Sequence, residues 1–280
     1  MKKPLLKKPS KKLLIHGKVI RQPMNILLYV VIGIFIIFFI ACWFFIKFPK
    51  RIRIDQVFEI FIGMLSPRKG KTWADYFKYF ANKEMWNNIR TTLEMCFIGT
   101  LVGSLFSLPV AILTSRNIVK NKFVVYFIRV FLTFVRSIPI NIIALIALFL
   151  AGIGIFSGTV AISVFTFGIM SKMLYESIET LDMGSYEAVI STGTSSFFAV
   201  RRATIPQILP LYIGYTVYAF EMNFRASIIL GLVGAGGIGL LLDNNIKERY
   251  YDRVGVIVFI FMVIVLLLQL LTRLINKKLR

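Results

Sequence analysis

Apolar runs of bilayer length recur along this chain, and nothing else in it restricts the possible folds so severely. The first occupies residues 24–46, and others follow at about 88–114, 123–150, 159–175, 208–233 and 254–275. Crossing roughly 30 Å of hydrocarbon takes about 20 residues of helix, and in lipid the backbone must satisfy its own polar groups. A mean hydropathy of +0.76, with 57% hydrophobic residues, leaves too little polar surface for a soluble domain of 280 residues. The expected fold class is all-α: a polytopic membrane protein with six transmembrane helices. The first run is too long for a cleaved signal core and lacks a small-residue cleavage site, so it reads as a span.

This pattern divides the chain into a basic tail at 1–23, a first transmembrane helix at 24–46, and an amphipathic segment at 47–87 that rests at an interface. A core of five further helices follows at 88–275, and a short tail at 276–280. Within the core, the run from 88 to 114 is expected to break at Gly99, Gly103 and Pro109. Arg136-Ser137-Ile138-Pro139 interrupts the next run, with Pro139 bending the helix. Six spans put both termini on one side. With the termini inside, cytoplasmic segments hold 17 Lys and Arg against 12 outside, a modest bias of the expected sign. A net charge of +21 would suggest nucleic acid in a soluble chain. Here the cations crowd the two tails, where they meet anionic lipid headgroups and set orientation.

Catalytic chemistry finds little to work with. The single histidine, His16, lies in the basic tail, and Cys42 and Cys96 sit in apolar runs without metal or disulfide spacing. No metal site, cofactor site or catalytic residue is expected. The stretch GAGGIG, 234–239, fits G-x-G-x-x-G, but a dinucleotide turn needs a preceding strand and further βα units. Only 41 residues follow Gly239, and a span takes about 22 of them. Gly234, Gly236, Gly237 and Gly239, with Gly231, instead suit close helix approach or an irregular segment, a gate, at the outer mouth.

Charges inside spans need a reason, because an ionised group in hydrocarbon must face protein or water. Glu221 and Arg225 stand i, i+4 on one helix face. Two uses are open to them: a structural ion pair, or a guanidinium that neutralises an anion crossing the membrane, with Asn223 and Arg136 beside the same path. A guanidinium suits phosphorus oxyanions because it offers a planar fork of donors. Lys172 and Glu176 repeat the spacing near a helix end, where snorkelling accounts for them.

The polar insertion at 176–207 reads EAVISTGTSSFFAVRRATIP over 187–206. A helix with Glu187 near its start is expected to end at Gly193, and Ser195 or Ser196 to cap a second short helix. Glu187, Ala188 and Val189, with Gly193, Ala203, Ile205 and Pro206, resemble the EAA motif of importer-type ABC permeases. Val189, Ala203 and Ile205 depart from its consensus but keep its small or apolar character. Downstream, FEMNFRASIILGLVGAGGIGLLL and YYDRV are similar to the phosphonate-importer permeases, as are TFVRSIPINI and SKMLYESIETLDMGSYEAV. The likeness covers roughly residues 85–280.

That resemblance implies the type I ABC importer permease fold, with the 176–207 loop as cytoplasmic coupling helices. It implies docking of cytoplasmic ATPase subunits through Glu187, Ala188, Val189, Gly193, Ile205 and Pro206. It also implies a second permease subunit, identical or paralogous, and an extracytoplasmic substrate-binding protein, all at the bacterial cell membrane. The implied cargo is phosphonate or a related oxyanion such as phosphate or phosphite. The rivals are a permease for methionine or another organic solute, a membrane-embedded enzyme, and a carrier that needs no ATPase.

Overall fold

The computed structural model describes residues 12–15, 18–21, 26–45, 54–68 and 70–279, in two units, 1–54 and 55–280. In the first unit, β1 (Lys12–Ile15) pairs antiparallel with β2 (Lys18–Arg21), setting Lys12 opposite Arg21. The basic tail therefore contains a short strand pair beside an otherwise all-α fold. Its runs KLLI and KVIR carry aliphatic and β-branched residues that suit strands. α1 (Ile26–Phe45) follows, 20 residues of nearly unbroken apolar sequence. Its described side chains are almost all exposed, as a helix facing lipid requires.

In the second unit, α2 (Ile54–Leu65) alternates exposed apolar residues with Asp55 and Glu59, and α3 (Trp73–Lys78) runs into a single tight turn at 79–81. α4 (Lys83–Thr114) begins five residues before the apolar run, because Asn82 caps it: its side chain accepts from the Glu84 N–H at 2.8 Å and the Met85 N–H at 3.3 Å. The expected breaks at Gly99, Gly103 and Pro109 do not occur, and α4 is one helix of 32 residues, about 48 Å long. Gly99, Gly103, Ser107 and Ala111 recur every fourth residue and are all buried. A Cβ on Gly99 would come within 2.7 Å of Ile162, and one on Gly103 within 2.5 Å of the Ser163 carbonyl oxygen. The glycines thus admit a neighbouring backbone rather than interrupt their own.

That neighbour is α7 (Ile155–Glu179). Gly158 meets Met95, Ile162 meets Gly99 and Thr166 meets Gly103, so the two helices run parallel. The chain returns between them through α5 (Lys122–Ser137) and α6 (Ile140–Ala151), which meet at 87° across Ile138-Pro139. Pro139 lacks the N–H that would continue α5 and stands instead at the start of α6. α8 (Gly184–Ser191) and α9 (Ser196–Ala199) form the polar insertion, and α10 (Ile205–Leu232) runs back antiparallel to α4 and α7. α11 (Gly237–Lys247) is bent 43° from α10, and α12 (Tyr251–Leu279) closes the bundle, with Phe261 stacked on Phe224 at 4.9 Å.

Among the described residues, Trp73–Thr114, Ile155–Glu179 and Tyr251–Leu279 are long and apolar enough to cross a membrane. Each bent pair taken as one span makes five, and Leu28–Trp43 is a shorter apolar helix. The parallel packing of α4 and α7 gives the bundle two distinct ends. One carries α8 and α9; the other carries the starts of α4 and α12.

Candidate functional site

At the α8 end, Asp182 Oδ1 accepts from the Gly184 N–H at 3.0 Å and starts α8. Glu187 falls in the first turn of α8; it and Ala188 are exposed, and Val189 is half-buried. Gly193 takes φ +81°, and its N–H closes the helix on the Ile190 carbonyl at 2.9 Å. A side chain there would be strained by this left-handed backbone. Ser195 stands before α9 in extended backbone but its side chain makes no capping bond, contrary to expectation. The second short helix runs on into the next span. It passes through a π-helical turn at 200–204 straight into α10, where Ile205 and Pro206 open the first turn. α8 and α9 therefore form an arm whose second helix is continuous with α10.

The root of that arm is a buried polar node that the sequence analysis did not anticipate. Arg129 Nη2 lies 2.5 Å from Glu179 Oε1, with both side chains about four-fifths buried. The same guanidinium donates to the Thr114 carbonyl at 3.0 Å and covers the Tyr175 ring at 4.5 Å. Glu179 Oε1 also accepts from the Arg116 N–H at 2.8 Å, and Asn117 Nδ2 donates to the Glu179 carbonyl at 3.1 Å. The last turns of α4 and α7, the loop between α4 and α5, and the middle of α5 are thus tied at one point, five residues before α8. The available signal was Arg129 itself, a cation inside an apolar run.

Within the spans, Glu221 accepts from Arg225 Nη2 across one helical turn. The partners are unequal: the Glu221 side chain is 5% exposed and that of Arg225 is 51% exposed. The carboxylate is neutralised inside the bundle while the guanidinium keeps further donors open to the exterior. Asn223 behaves differently. It is fully buried, and its Nδ2 donates to Thr100 Oγ1 at 2.8 Å and to Thr166 Oγ1 at 2.7 Å. It therefore locks α10 onto both α4 and α7, and presents no surface to an open path. Arg136 sits half-buried just before the α5–α6 break, donating weakly to the Leu132 carbonyl and Thr133 Oγ1, with no acidic partner among the described residues. Gly168 makes room for its stem. Lys172 and Glu176 lie 3.4 Å apart and partly exposed. An unforeseen pair, Arg90 and Glu94, stands on the exposed face of α4 at 2.8 Å.

The glycine stretch is a packed turn. Gly234, Gly236 and Gly237 have φ of +95°, +80° and +69°, values that favour glycine. Gly231 and Gly239 bring the backbones of α10 and α11 into contact, and the Ile238 N–H donates to Thr92 Oγ1 at 2.8 Å. All but Gly234 are buried. A helix precedes this turn where a nucleotide-binding turn would need a strand.

Residues 99–280 match the family described as binding-protein-dependent transport system inner membrane component. A phosphate-import permease of Mycolicibacterium smegmatis is 36% identical over 180 residues, covering 64% of this chain but 34% of the relative. The chain thus spans about a third of that relative's length. A phosphite transport system permease of Stutzerimonas stutzeri is 32% identical over 186 residues, covering 66% of this chain and 68% of its own. The inward-facing MetNI methionine ABC transporter shares the fold, with a TM-score of 0.63 at 21% identity over 70% of this chain and 96% of that one. The family match spans 182 of the 280 residues and includes both the α8 arm and Arg225, so the chain belongs to the binding-protein-dependent transport system inner membrane components.

Proposed function

We propose that this chain forms the translocation path for a small phosphorus oxyanion, phosphonate or its relatives phosphate and phosphite, in an ABC importer. The observation that carries this reading is Arg225: a guanidinium inside a span, half-exposed, whose own carboxylate partner is buried. A path for a solute without an anionic group has no use for such a group, whereas an oxyanion replaces its lost hydration with those donors. The substrate class of the relatives, phosphate and phosphite by their names, supports the same choice.

In this reading Glu187, Ala188, Val189 and Gly193 dock the α8 arm on a separate cytoplasmic ATPase, and Ile205 and Pro206 join the arm to α10. The arm end, both termini and the basic tail face the cytoplasm, and α1 is the first of six spans. A second permease subunit completes the path, and a binding protein delivers cargo at the opposite end. Arg136 lines the path at the α5–α6 break, while Asn223 keeps α10 in register. The turn at Gly234, Gly236 and Gly237, with Gly239 behind it, forms the fixed outer rim.

The test is uptake by the assembled transporter in proteoliposomes, with its ATPase and delivery protein. ATP-driven accumulation of phosphonate, phosphate or phosphite, without methionine uptake, is the expected result. Accumulation of methionine alone would overturn the substrate class and leave the shared fold as the reason for the resemblance.

A further inference from the structure

At the end away from α8, the segment 71–83 and the first turns of α12 line an open cavity of about 570 Å³. Four cations line it, Lys71, Lys78, Lys83 and Arg253, against two acids, Asp75 and Asp252. Asp75 is already engaged: the Thr72 N–H and hydroxyl donate to its Oδ2 at 3.2 and 2.9 Å. Asp252 is 7% exposed, so its charge lies beneath the wall more than on it. Arg253 is held by aromatic faces, 4.5 Å from the Tyr250 ring centre and 5.5 Å from that of Tyr79. The three lysines are exposed and pair with no carboxylate among the described residues. Four cations against two carboxylates leave the cavity with a surplus of positive charge.

Tyr76 forms part of this wall and also part of a second, apolar groove of about 410 Å³, lined by Leu65, Phe77, Phe80, Gly255 and Phe259. Trp73 and Phe77 stand exposed beside it, their rings packed on Tyr76 at 5.9 and 5.7 Å. Exposed aromatic residues where a span begins mark the headgroup level of a bilayer. A cationic pocket and an apolar groove sharing one tyrosine, at that level, have the two-part chemistry of a lipid with a phosphate headgroup and an acyl chain. We propose that the cavity and groove together bind one anionic phospholipid, its phosphate among Lys71, Lys78, Lys83 and Arg253 and a chain along Phe77, Phe80 and Phe259. A free oxyanion would use the cavity alone and leave the groove without purpose. The inference is independent of which cargo the chain carries.

The experiment uses the assembled transporter, stripped of lipid in detergent and titrated with phosphatidylglycerol, phosphatidylcholine or inorganic phosphate, with bound molecules counted by native mass spectrometry. One phosphatidylglycerol per chain should survive at concentrations where phosphatidylcholine has left. Lys71→Gln with Lys78→Gln should weaken phosphatidylglycerol by about 25-fold, about fivefold for each lysine, and leave phosphatidylcholine unchanged. Both lysines are exposed, so the melting temperature should hold. Equal retention of the two lipids overturns the proposal, as does unchanged phosphatidylglycerol binding in the double variant. Displacement of phosphatidylglycerol by inorganic phosphate would make the cavity a small-anion site and also overturn it.

Discussion

Arg225 and Glu221 share one ion pair but stand in different solvents, and this decides how each must be tested. Removing the guanidinium alone leaves a buried carboxylate unpaired, which destabilises the fold whatever the pair does in transport. Arg225→Ala in a Glu221→Gln background removes that complication. The double variant should reach the membrane and assemble normally, while oxyanion uptake falls about 10- to 100-fold, the worth of one charge-assisted hydrogen bond. Normal uptake in that variant would return the pair to a purely structural role. Glu187 is the opposite case, exposed and with no side-chain ion pair among the described residues. Glu187→Lys should leave the protein folded and in the membrane but uncouple ATP hydrolysis from uptake and weaken co-purification with the ATPase. Retained coupling would remove the docking role of α8. Both residues were legible in the sequence, because i, i+4 spacing and motif spacing are local. The burial of Asn223 was not, because its partners Thr100 and Thr166 lie 123 and 57 residues away.

Between elements, the close contact of α4 with α7 and the node at the foot of α7 carry the architecture. Gly103→Leu would drive a side chain into the Ser163 carbonyl and the Thr166 side chain, at a cost of about 1–3 kcal/mol or more. The expected readout is a lowered melting temperature of the purified complex with reduced yield; an unchanged melt would mean that the helices can separate freely. At the node, Arg129→Ala should destabilise by about 1–2 kcal/mol, less than for a fully buried pair because both side chains keep some solvent. It should also raise ATP hydrolysed per substrate moved, since the arm loses its anchor. Adding Glu179→Ala should cost less than the two single effects summed, as contacting partners do. Strict additivity would show that the node is not one unit. The glycines of α4 were misread as breaks for a physical reason: a glycine weakens a helix in isolation, yet the same missing side chain lets two helices pack in lipid.

For the molecule as a whole, the class, an all-α membrane protein, was legible from solvent requirements alone. Hydrocarbon demands long apolar helices whatever their neighbours, so the runs from 88 to 275 reappear with shifted ends as α4, α5 with α6, α7, α10 and α12. Pro139 ends a helix, and the backbone at Gly193 turns left-handed, through geometry contained within a few residues. Which surfaces those helices share depends on rotation about each axis and on depth in the bundle, and neither is written in periodicity when both lipid and protein faces are apolar. Only the tertiary structure therefore decided that Glu179 meets Arg129, that Asn223 ties three helices, and that α10 and α11 turn on packed glycines. It also decided that Tyr76 joins a cationic cavity to an apolar groove. These are contacts between distant residues, and only packing brings such residues together.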